Sequence, residues 1–599
     1  MTPRGRPALA PALVFVALAA CDGGAVSPAP PAASATTAAP SAAASSAVPA
    51  RPLGDLGRIP VSAAAAARAA LAKVVAGRDP ASFEYTEFRR AVARGEPFFR
   101  ERGFQAEALF GAGPADETGG ALGRLDLAIV ARDAEAIEVH AAEVSRALLL
   151  LEDSLSRSPA RPAQLPDILP RAAYWLGAAL AGSKPGLSRS PPAAIADALG
   201  LLDAIGEGTR AGHAGMASPG ESAGSAASRV EEQVETLRKA IEPAAGTGEL
   251  SDRARLVVAT GLLGARLREA LAPLGKTWKP YSPRVPGKGP AQDEAISVLT
   301  VPVLSRGAAR DPAEEERLAA LGEKLFSDRT LSAGGARSCA TCHVPAKAYT
   351  DGKARPESLV PETPILRNTP TLLYASLHAA QFWDGRALTS EKQAVLVMHS
   401  KAEMAIPASA FPRPGVASEK EAAAALSAFQ ARRLVPADSP LDRFSRGEEG
   451  ALSDEDRAGF DVFAGKGRCA RCHVPPLFGG SHPPDFATAV YSALGVPETA
   501  AGKAIDPDRG RAAVTRREIH AGAFKTPTVR DAGRTAPYFH NGAFSTLESV
   551  IDFYDKGGGA GLGLPVPNQD PDVVPLRLTE GEKRALLRFL RVGLADSPR

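Results

Sequence analysis

The chain has little cysteine and little excess charge. Only five of its 599 residues are cysteine, which is far too few for a disulfide-built secreted scaffold of this size. The 70 Lys and Arg residues nearly balance the 67 Asp and Glu residues, and the formal net charge of +3 argues against a nucleic-acid-binding protein. With 45% hydrophobic and 23% charged residues the chain can bury a core, and its length suggests about three or four domains.

Long apolar runs are also scarce, and the first of them is short. It covers residues 8–20, follows a short basic segment and leads through small residues into Cys21. A run of this length is too short to span a membrane, and the pattern resembles a bacterial lipoprotein signal peptide. We therefore expect residues 1–20 to be the signal, Cys21 to carry a lipid, and the protein to be periplasmic and membrane-anchored. The alternative is an ordinary cleaved signal with an unmodified Cys21, which also implies export.

Residues 21–54 consist mostly of Ala, Pro and Ser with almost no charge. Such a composition cannot form a packed core and is typical of a tether. No later segment reaches the roughly 18 apolar residues that a membrane span needs. The sequence thus predicts a soluble body held by one lipid anchor.

Residues 55–290 have a helical pattern rich in Ala and Leu. Apolar residues recur at a spacing of three to four in 125–155, 192–205 and 230–241. A Gly/Ser/Ala-rich stretch at 206–228 is expected to break two of these helices. We interpret the region as a helical bundle, and no motif in it indicates its role.

The second half of the chain contains an internal repeat. Each copy begins with a predicted helix that carries Gly-x-x-aliphatic-Phe, at residues 322–326 and 459–463. Each helix is followed by Cys-x-x-Cys-His and then Val-Pro, and each copy closes with another predicted helix, at 418–434 and 579–594. One small helical unit is therefore used twice.

Four of the five cysteines lie in the repeated Cys-x-x-Cys-His motifs. Two thiols at this spacing reach both vinyl groups of a haem while the next histidine turns toward the iron, so the motif indicates c-type haem. The alternatives are a thioredoxin-like redox pair and a zinc site that draws four ligands from both motifs. Attachment of c-type haem outside the cytoplasm agrees with the expected export. The motif residues are Cys339, Cys342 and His343, and Cys469, Cys472 and His473.

Methionine is scarce as well, with four residues in the chain. None lies beyond Met404, so a haem held by the second motif must take another side chain, or none, as its sixth ligand. An iron ligated on both faces transfers electrons, whereas an iron with an open face can bind peroxide. Two haems are therefore consistent with an electron-transfer protein or with an enzyme.

Further motifs surround the two haem motifs. They comprise Leu321-Gly322-x-x-Leu325-Phe326-x-Asp328-x-x-Leu331-Ser332, Arg367-Asn368-Thr369-Pro370-Thr371-Leu372, Phe382-Trp383-Asp384-Gly385-Arg386, Gln393-Ala394, Glu403-Met404, Phe524-Lys525-Thr526-Pro527-Thr528, Thr535-Ala536-Pro537-Tyr538-Phe539-His540 and Ile551-Asp552-Phe553-Tyr554. Together they are dense and specific, and they resemble the bacterial di-haem cytochrome c peroxidase and MauG family over about residues 311–594.

The resemblance implies roles for residues around the first haem. His343 would be the proximal ligand of the peroxide-binding haem, and Glu403 would lie over its open face with Gln393 nearby. A carboxylate in that place can move a proton between the peroxide oxygens, which favours a catalytic Glu403 over a surface carboxylate. Trp383 would lie between the haems, and an aromatic bridge is favoured over a plain core residue.

The resemblance also implies the ligands of the second haem. His473 would be its proximal ligand. Tyr554 lies fourteen residues after His540, where the peroxidases of the family place an axial Met and MauG-type members an axial Tyr. A phenolate ligand stabilises high iron valence and lowers the reduction potential, which favours MauG-like sharing of the oxidising equivalents.

One calcium ion is implied in addition. Asn368 would bind it through the side-chain amide oxygen, and Thr535 and Pro537 would bind it through backbone carbonyls. Such oxygen ligands suit a hard cation.

Two positions depart from the family pattern. Typical peroxidases of the family have a histidine that blocks the first haem eight residues before the calcium-binding Asn, and this chain has Val360 there. The first haem is therefore expected to be open in its resting state. Val397 replaces a family proline four residues after Gln393, which puts the shape of that pocket in doubt. His399, between Gln393 and Glu403, is a less favoured alternative ligand of the first iron.

We therefore expect an all-α fold with two c-type cytochrome domains in tandem, at 300–445 and 446–599, after a helical domain at 55–290. The expected cofactors are two covalently bound haems c and one calcium ion. The expected function is reduction of hydrogen peroxide at the first haem, with electrons from a small periplasmic donor, such as a cytochrome c or a cupredoxin, relayed through the second haem. The alternatives are a MauG-like oxidase of a protein substrate and a non-catalytic electron-transfer cytochrome. No nucleic-acid partner is expected.

Overall fold

The computed structural model describes residues 56–596 except 78–81, 112–119, 215, 217–220, 282–283, 285–295 and 303–310. The predicted signal peptide, Cys21 and the predicted tether lie outside these residues. Over the described part the chain is mostly α-helical, as the sequence predicts.

The N-terminal part of the described chain forms a helical bundle, which confirms the helical pattern. The predicted run at 125–155 is two helices, because Arg132 has a φ of 56° and Asp133 caps a new helix by accepting a hydrogen bond from the N–H of Ala136. The helices are α1 (Arg58–Gly77), α2 (Phe83–Phe99), α3 (Phe104–Phe110), α4 (Gly120–Ala131), α5 (Ala134–Arg157), α6 (Leu165–Leu180), α7 (Pro191–Ala214), α8 (Glu221–Ile241) and α9 (Arg253–Leu271).

Helix α7 continues through glycines that were expected to end it. An ideal Cβ at Gly208 would lie 2.8 Å from a methyl carbon of Leu169, and one at Gly212 would lie 2.7 Å from a methyl carbon of Leu165. Both leucines belong to α6, so the glycines allow close packing of α6 on α7. Tertiary packing therefore outweighs the low helix propensity of glycine here, and the predicted break at 206–228 is wrong over most of its length.

Helix α1 is long and apolar enough to cross a membrane by length and composition alone, with a mean hydropathy of 1.5. The expectation that no segment after the leader reaches this threshold is therefore wrong. Length and composition alone are weak evidence for a membrane span, because buried core helices also meet these two criteria. Helix α1 packs against α2 and α5, where Ala63, Ala67 and Val74 are fully buried.

The repeat predicted in the second half forms two similar helical units. Asp311 caps the helix that opens the first unit and Ser453 caps the one that opens the second, as the sequence predicts. The first unit contains α10 (Pro312–Ser327), α11 (Cys339–Cys342), α12 (Ser390–His399), α13 (Glu419–Arg433) and α14 (Pro440–Ser445). The second contains α15 (Asp454–Ala464), β1 (Tyr491–Ala493), α16 (Ala512–Thr515), β2 (Ala523–Lys525), α17 (Leu547–Asp555), α18 (Gly558–Gly561) and α19 (Glu580–Arg588), and a π-helical turn, Phe589–Gly593, extends α19.

The repeated glycine explains how each unit closes. An ideal Cβ at Gly322 of α10 would lie 1.9 Å from the carbonyl oxygen of Ala425 in α13. At Gly459 of α15 it would lie 2.2 Å from the carbonyl oxygen of Ala585 in α19. Real Cβ atoms do not approach a backbone oxygen so closely, so each glycine permits one helix crossing. The two short strands pair antiparallel, with Ser492 opposite Phe524.

The helical bundle is joined to the second unit. One apolar cluster combines buried residues of α6 to α9 with Phe460, Phe463 and Phe589 of the second unit. Asp461 of α15 accepts hydrogen bonds of 2.8 Å from the N–H groups of Asp252 and Arg253 at the start of α9. The second unit thus shares a core with the bundle, while a separate apolar cluster fills the first unit. The predicted domain boundaries stay predictions.

Candidate functional site

Both Cys-x-x-Cys-His motifs line one cavity of about 1140 Å³. This volume exceeds the roughly 300–1,000 Å³ typical of a site for one small molecule. Its wall is largely apolar, and it also includes every other residue that the sequence predicts as a haem or calcium ligand or as catalytic: Asn368, Trp383, Gln393, Glu403, Thr535, Pro537 and Tyr554. The structure therefore brings the predicted site residues together around one space.

The two motif histidines are held in the same way. His343 Nδ1 lies 2.9 Å from the carbonyl oxygen of Tyr349, and His473 Nδ1 lies 3.0 Å from the carbonyl oxygen of Pro527. A carbonyl only accepts, so Nδ1 carries the proton and Nε2 keeps its lone pair for a metal. Burial lowers the pKa of His473 to about 4 and also lowers the pKa of His343. Both imidazoles are therefore neutral at pH 7, which is the metal-binding form.

The motif cysteines do not have the properties of the two alternative sites. Burial raises the pKa of the Cys339 and Cys469 thiols to about 12 each, whereas a thioredoxin-like pair needs a lowered thiol pKa. Among the residues that the structure describes, no group of three or more His, Cys, Asp or Glu side chains is placed to hold a metal ion, which argues against zinc. Paired thiols, anchored neutral histidines and a large apolar cavity fit covalently bound haem.

Glu403 lies in the cavity wall close to the first motif. Burial raises the pKa of its carboxyl group, and a hydrogen bond from Ser400 and the charges of Arg386 and Arg337 offset this only in part. The charge of Glu403 in turn contributes to the raised pKa of the Cys342 thiol. The site thus holds a carboxyl group with a raised pKa beside the first motif, and its catalytic role stays a prediction.

The residues around Glu403 differ in what they contact. Gln393 and Val397 lie on α12 and line the cavity. Val360 is tied to the Glu403 segment, because the N–H of neighbouring Leu359 donates to the carbonyl of Ala402 at 2.7 Å. His399 is engaged at both ring nitrogens, by the carbonyl of Ile406 and the carboxylate of Glu419. These contacts argue against the alternative that His399 ligates the first iron.

Trp383 is held from both units of the repeat. Its indole N–H donates to the carbonyl of Asn368 at 2.9 Å, and its own carbonyl accepts from the N–H of Lys525 at 2.7 Å. The N–H of Asn368 donates to the carbonyl of His540 at 2.6 Å, and the buried His540 ring stacks on Phe524 with 3.6 Å between centroids. A rigid frame therefore positions Trp383 where the two units meet.

Tyr554 lies on α17 beside the second motif. Its ring packs against Phe539 and Phe553, with centroids 6.2 and 5.6 Å apart. Burial raises the pKa of its hydroxyl, and the neighbouring Cys472, Cys469 and Asp570 add to the shift. Thioether formation would remove the cysteine contribution, and an iron would favour the phenolate. The position is consistent with the predicted sixth ligand.

The three predicted calcium ligands line the same cavity, and a hydrogen bond orients one of them. The amide nitrogen of Asn368 donates to the carbonyl of Lys353 at 2.8 Å, which orients the side chain through its nitrogen and leaves the amide oxygen as the candidate ligand. Thr535 and Pro537 are half-buried and line the same cavity. The calcium site stays a prediction.

Two further residues of the wall lie in the quoted motifs but had no predicted role. Arg367 donates to Asp384 and Asp508 at 2.6 Å each, and so joins the segment of Trp383 to the second unit. Burial lowers the pKa of Lys525 to about 8, and its amine lies 3.3 Å from His378. Two features of the sequence could have indicated the contact between Arg367 and Asp384. Arg367 directly precedes the predicted ligand Asn368, and Asp384 directly follows the predicted bridge Trp383.

Two Cys-x-x-Cys-His motifs with anchored, neutral histidines on one cavity define a di-haem c-type cytochrome. Comparison with known proteins narrows this class. Residues 316–413 match the family model described as di-haem cytochrome c peroxidase. The chain is 32% identical over 329 residues to cytochrome-c peroxidase IdrP1 of Pseudomonas sp. (strain SCT), covering 48% of this chain and 83% of that protein. It therefore belongs to the di-haem cytochrome c peroxidase and MauG family and is an oxidoreductase with haem c.

Two more known proteins are similar to this chain. Methylamine utilization protein MauG of Methylorubrum extorquens (strain ATCC 14718 / DSM 1338 / JCM 2805 / NCIMB 9133 / AM1) is 33% identical over 304 residues, which cover 48% of this chain and 80% of that protein. The crystal structure of a MauG-like protein associated with microbial copper homeostasis is 26% identical, with a TM-score of 0.42, and covers 49% of this chain and 95% of that one. These matches span about half of the chain.

Proposed function

We propose that the protein reduces hydrogen peroxide at the haem held by Cys339, Cys342 and His343, and that electrons reach it through the haem held by Cys469, Cys472 and His473. The overall reaction consumes one peroxide, two electrons and two protons and yields two water molecules. The observation that carries the proposal is the partly buried carboxyl group of Glu403 beside the first motif, with its raised pKa.

Glu403 supplies the proton chemistry that peroxide cleavage needs. A haem held by Cys339, Cys342 and His343 would supply the iron to which peroxide binds and which takes up the oxidising equivalents. The Glu403 carboxylate accepts a proton from one peroxide oxygen and returns it to the other, which leaves as water. Gln393, on the same wall, orients the peroxide by hydrogen bonding. Partial burial keeps bulk water from competing for these protons.

An open first haem is part of the proposal. Val360 has no atom that can ligate iron, and the hydrogen bonds of its segment hold it next to Ala402. Met398 and Met404 also line the cavity, and both are buried among apolar side chains. Either thioether on the first iron would close the site and leave a gated peroxidase or an electron conduit.

Trp383 is the proposed bridge for the electrons. It lines the cavity shared by the two motifs, and its two hydrogen bonds hold it to segments of both units. An indole is oxidised more readily than the phenyl ring of phenylalanine, so it relays oxidising equivalents better. Trp383→Phe should therefore slow transfer between the haems while both haems remain bound.

A MauG-like oxidase of a protein substrate is the second candidate. The observation in its favour is Tyr554, buried beside Cys469 and Cys472, because a phenolate ligand lowers the reduction potential and disfavours uptake of electrons from a high-potential cytochrome. Steady-state turnover of peroxide with a reduced small cytochrome c or cupredoxin supports the peroxidase. Failure to turn over, together with peroxide-dependent oxidation of a protein partner, supports the oxidase.

Electron paramagnetic resonance of the ferric protein tests the haem ligands. One high-spin signal and one low-spin signal are expected, and Tyr554→Phe should change only the low-spin one. Tyr491→Phe is the matched control, because Tyr491 is not a predicted haem ligand. Its ring packs against the guanidinium of Arg511, whose carbon lies 4.4 Å from the ring centroid. Two low-spin haems that Tyr554→Phe leaves unchanged would overturn both the open site and the tyrosine ligand.

The calcium ion, the lipid anchor and the location complete the proposal. We place one calcium ion at Asn368, Thr535 and Pro537. Its removal by a chelator should change the haem spectra, and added calcium, but not magnesium, should reverse this change.

We place the protein in the periplasm, anchored to a membrane by a lipid on Cys21. Incorporation of labelled palmitate into the wild type but not into Cys21→Ser tests the anchor.

A further inference from the structure

One loop of the helical bundle lies against the second Cys-x-x-Cys-His motif. This loop, residues 183–190, lies between α6 and α7. Arg471, which lies between the two motif cysteines, donates to the carbonyl of Ser188 at 2.6 Å and to that of Leu187 at 3.3 Å. Arg468, directly before the motif, donates to the carbonyl of Arg189 at 3.4 Å. Nothing in the family motifs predicts these contacts, because they join positions about 280 residues apart.

The same loop places a charged side chain against a residue of the haem cavity wall. Arg189 forms an ion pair of 3.1 Å with Asp572, which lines the cavity, and Arg471 lies 3.7 Å from the same carboxylate. The three side chains are only 12% to 17% exposed. Asp572 also contributes to the raised pKa of the Cys472 thiol, so its charge acts on the second motif.

A buried polar network fixes the loop. Asp126 of α4 accepts hydrogen bonds from the Ser188 hydroxyl at 2.6 Å and from the N–H of Arg189 at 2.9 Å. Asp197 of α7 accepts from the N–H of Ser188 at 3.1 Å and pairs with Arg89 of α2. Arg89 and both aspartates are almost fully buried.

Burying such charges has an unfavourable desolvation energy that apolar residues would avoid. The hydrogen bonds of this network nevertheless hold the loop in one position. The position they specify is that of Arg189.

We propose that the helical bundle completes the second haem site, and that Arg189 is a positioning residue there which, with Arg471, neutralises Asp572 and sets the reduction potential of the second haem. The inference rests on the proposed function only in assigning a haem to Cys469, Cys472 and His473. It gives the otherwise unassigned bundle a role in electron transfer.

The sign of the effect follows from electrostatics. A ferric haem carries one more positive charge than a ferrous haem, so a nearby positive charge favours reduction and a nearby negative charge opposes it. Because both side chains are largely shielded from water, solvent screens this effect less than it would at the surface. Loss of Arg189 should lower the potential of the second haem, and loss of the Asp572 charge should raise it.

Potentiometric titration of the full-length holoprotein, with each haem followed by its own absorbance and paramagnetic signals, tests the proposal. Arg189→Gln is expected to lower the potential of the second haem, Asp572→Asn to raise it, and Arg189→Lys to leave it near the wild type. The matched control is Arg229→Gln, which removes an arginine from an exposed ion pair with Glu269 and should change neither potential.

Opposite shifts separate an electrostatic role from a structural one. If Arg189→Gln and Asp572→Asn acted only by loosening the contact between these two side chains, both would shift the potential in the same direction. Shifts of the same sign, or no shift, would therefore overturn the proposal. If Arg189→Gln fails to fold, Asp572→Asn alone decides, because an unchanged or lowered potential contradicts the inference. Loss of one covalent haem in the double variant Cys469→Ser/Cys472→Ser, which leaves no thiol in the second motif, confirms the haem assignment separately, and retention of both covalent haems would refute that assignment instead.

Discussion

The two Cys-x-x-Cys-His motifs are alike in sequence and in how their histidines are held, but their surroundings differ. A carboxyl group with a raised pKa, Glu403, and two arginines lie around the first motif. The second motif lies between an aromatic cluster that includes Tyr554 and a loop of the helical bundle that contacts Arg471. A carboxyl group and two arginines lie near one motif, whereas aromatic side chains and paired charged groups lie near the other.

This contrast separates attachment from chemistry. The motif itself explains how a haem is bound, because two thiols and one imidazole suffice for that. What each haem does depends on groups that approach from other segments, and these are distant in sequence. Substitutions that affect one haem only are therefore the sharpest tests of the comparison.

The largest expected effect comes from Glu403→Gln. An amide keeps the shape of the side chain but cannot accept and return a proton, so we expect kcat for peroxide reduction to fall by about 10²- to 10⁴-fold. Stopped-flow and steady-state assays with a reduced cytochrome measure it. The control is Glu362→Gln, at an exposed carboxylate of the same unit, which should remain active. A fall of less than tenfold at Glu403 would remove it from the mechanism.

The pH dependence of the same reaction gives the next test. Glu403 works as the carboxylate, so kcat/KM should fall as the pH drops through its pKa. Because burial raises that pKa, the acid limb should lie above the usual value of 4.5 for a glutamate. Arg386 lowers the pKa by its charge, so Arg386→Gln should move the limb to still higher pH. A limb that stays in place in Glu403→Gln would belong to another group.

The sequence predicts those parts of this molecule that depend on local chemistry. Asp311 and Ser453 begin their helices where the cap pattern places them, and the spaced cysteines and histidines meet at one cavity. The course of α7 through Gly208, in contrast, depends on a leucine of α6. The contact of the loop at 183–190 with Arg471 has no local signature either. Such features arise from packing between distant segments and are not encoded in any one pattern.

A buried ion pair joins the two units. Arg530 of the second unit donates to both carboxylate oxygens of Asp442, at 2.8 Å each, and neither side chain is more than 3% exposed. Asp442→Asn leaves a buried arginine without its charge partner, so the free energy of unfolding should fall by about 3–5 kcal/mol. Urea titration of the holoprotein measures it, with Glu269→Gln as the surface control, expected at about 0–1 kcal/mol. Equal values for the two variants would contradict the assigned role.

The smallest expected effect concerns the glycine that both units have where their helices cross. Alanine at Gly322 or Gly459 places a Cβ against a carbonyl oxygen of the closing helix. A backbone atom cannot move aside alone, so each helix pair must separate, at about 1–3 kcal/mol. Urea titration of both variants should give similar losses, and Gly450→Ala, with no heavy atom within 4 Å of its Cβ, should give almost none. A loss of stability at one glycine only would mean that the two units share the glycine motif but pack their helices differently. The contrast between the haem sites would then extend to the helices that carry them.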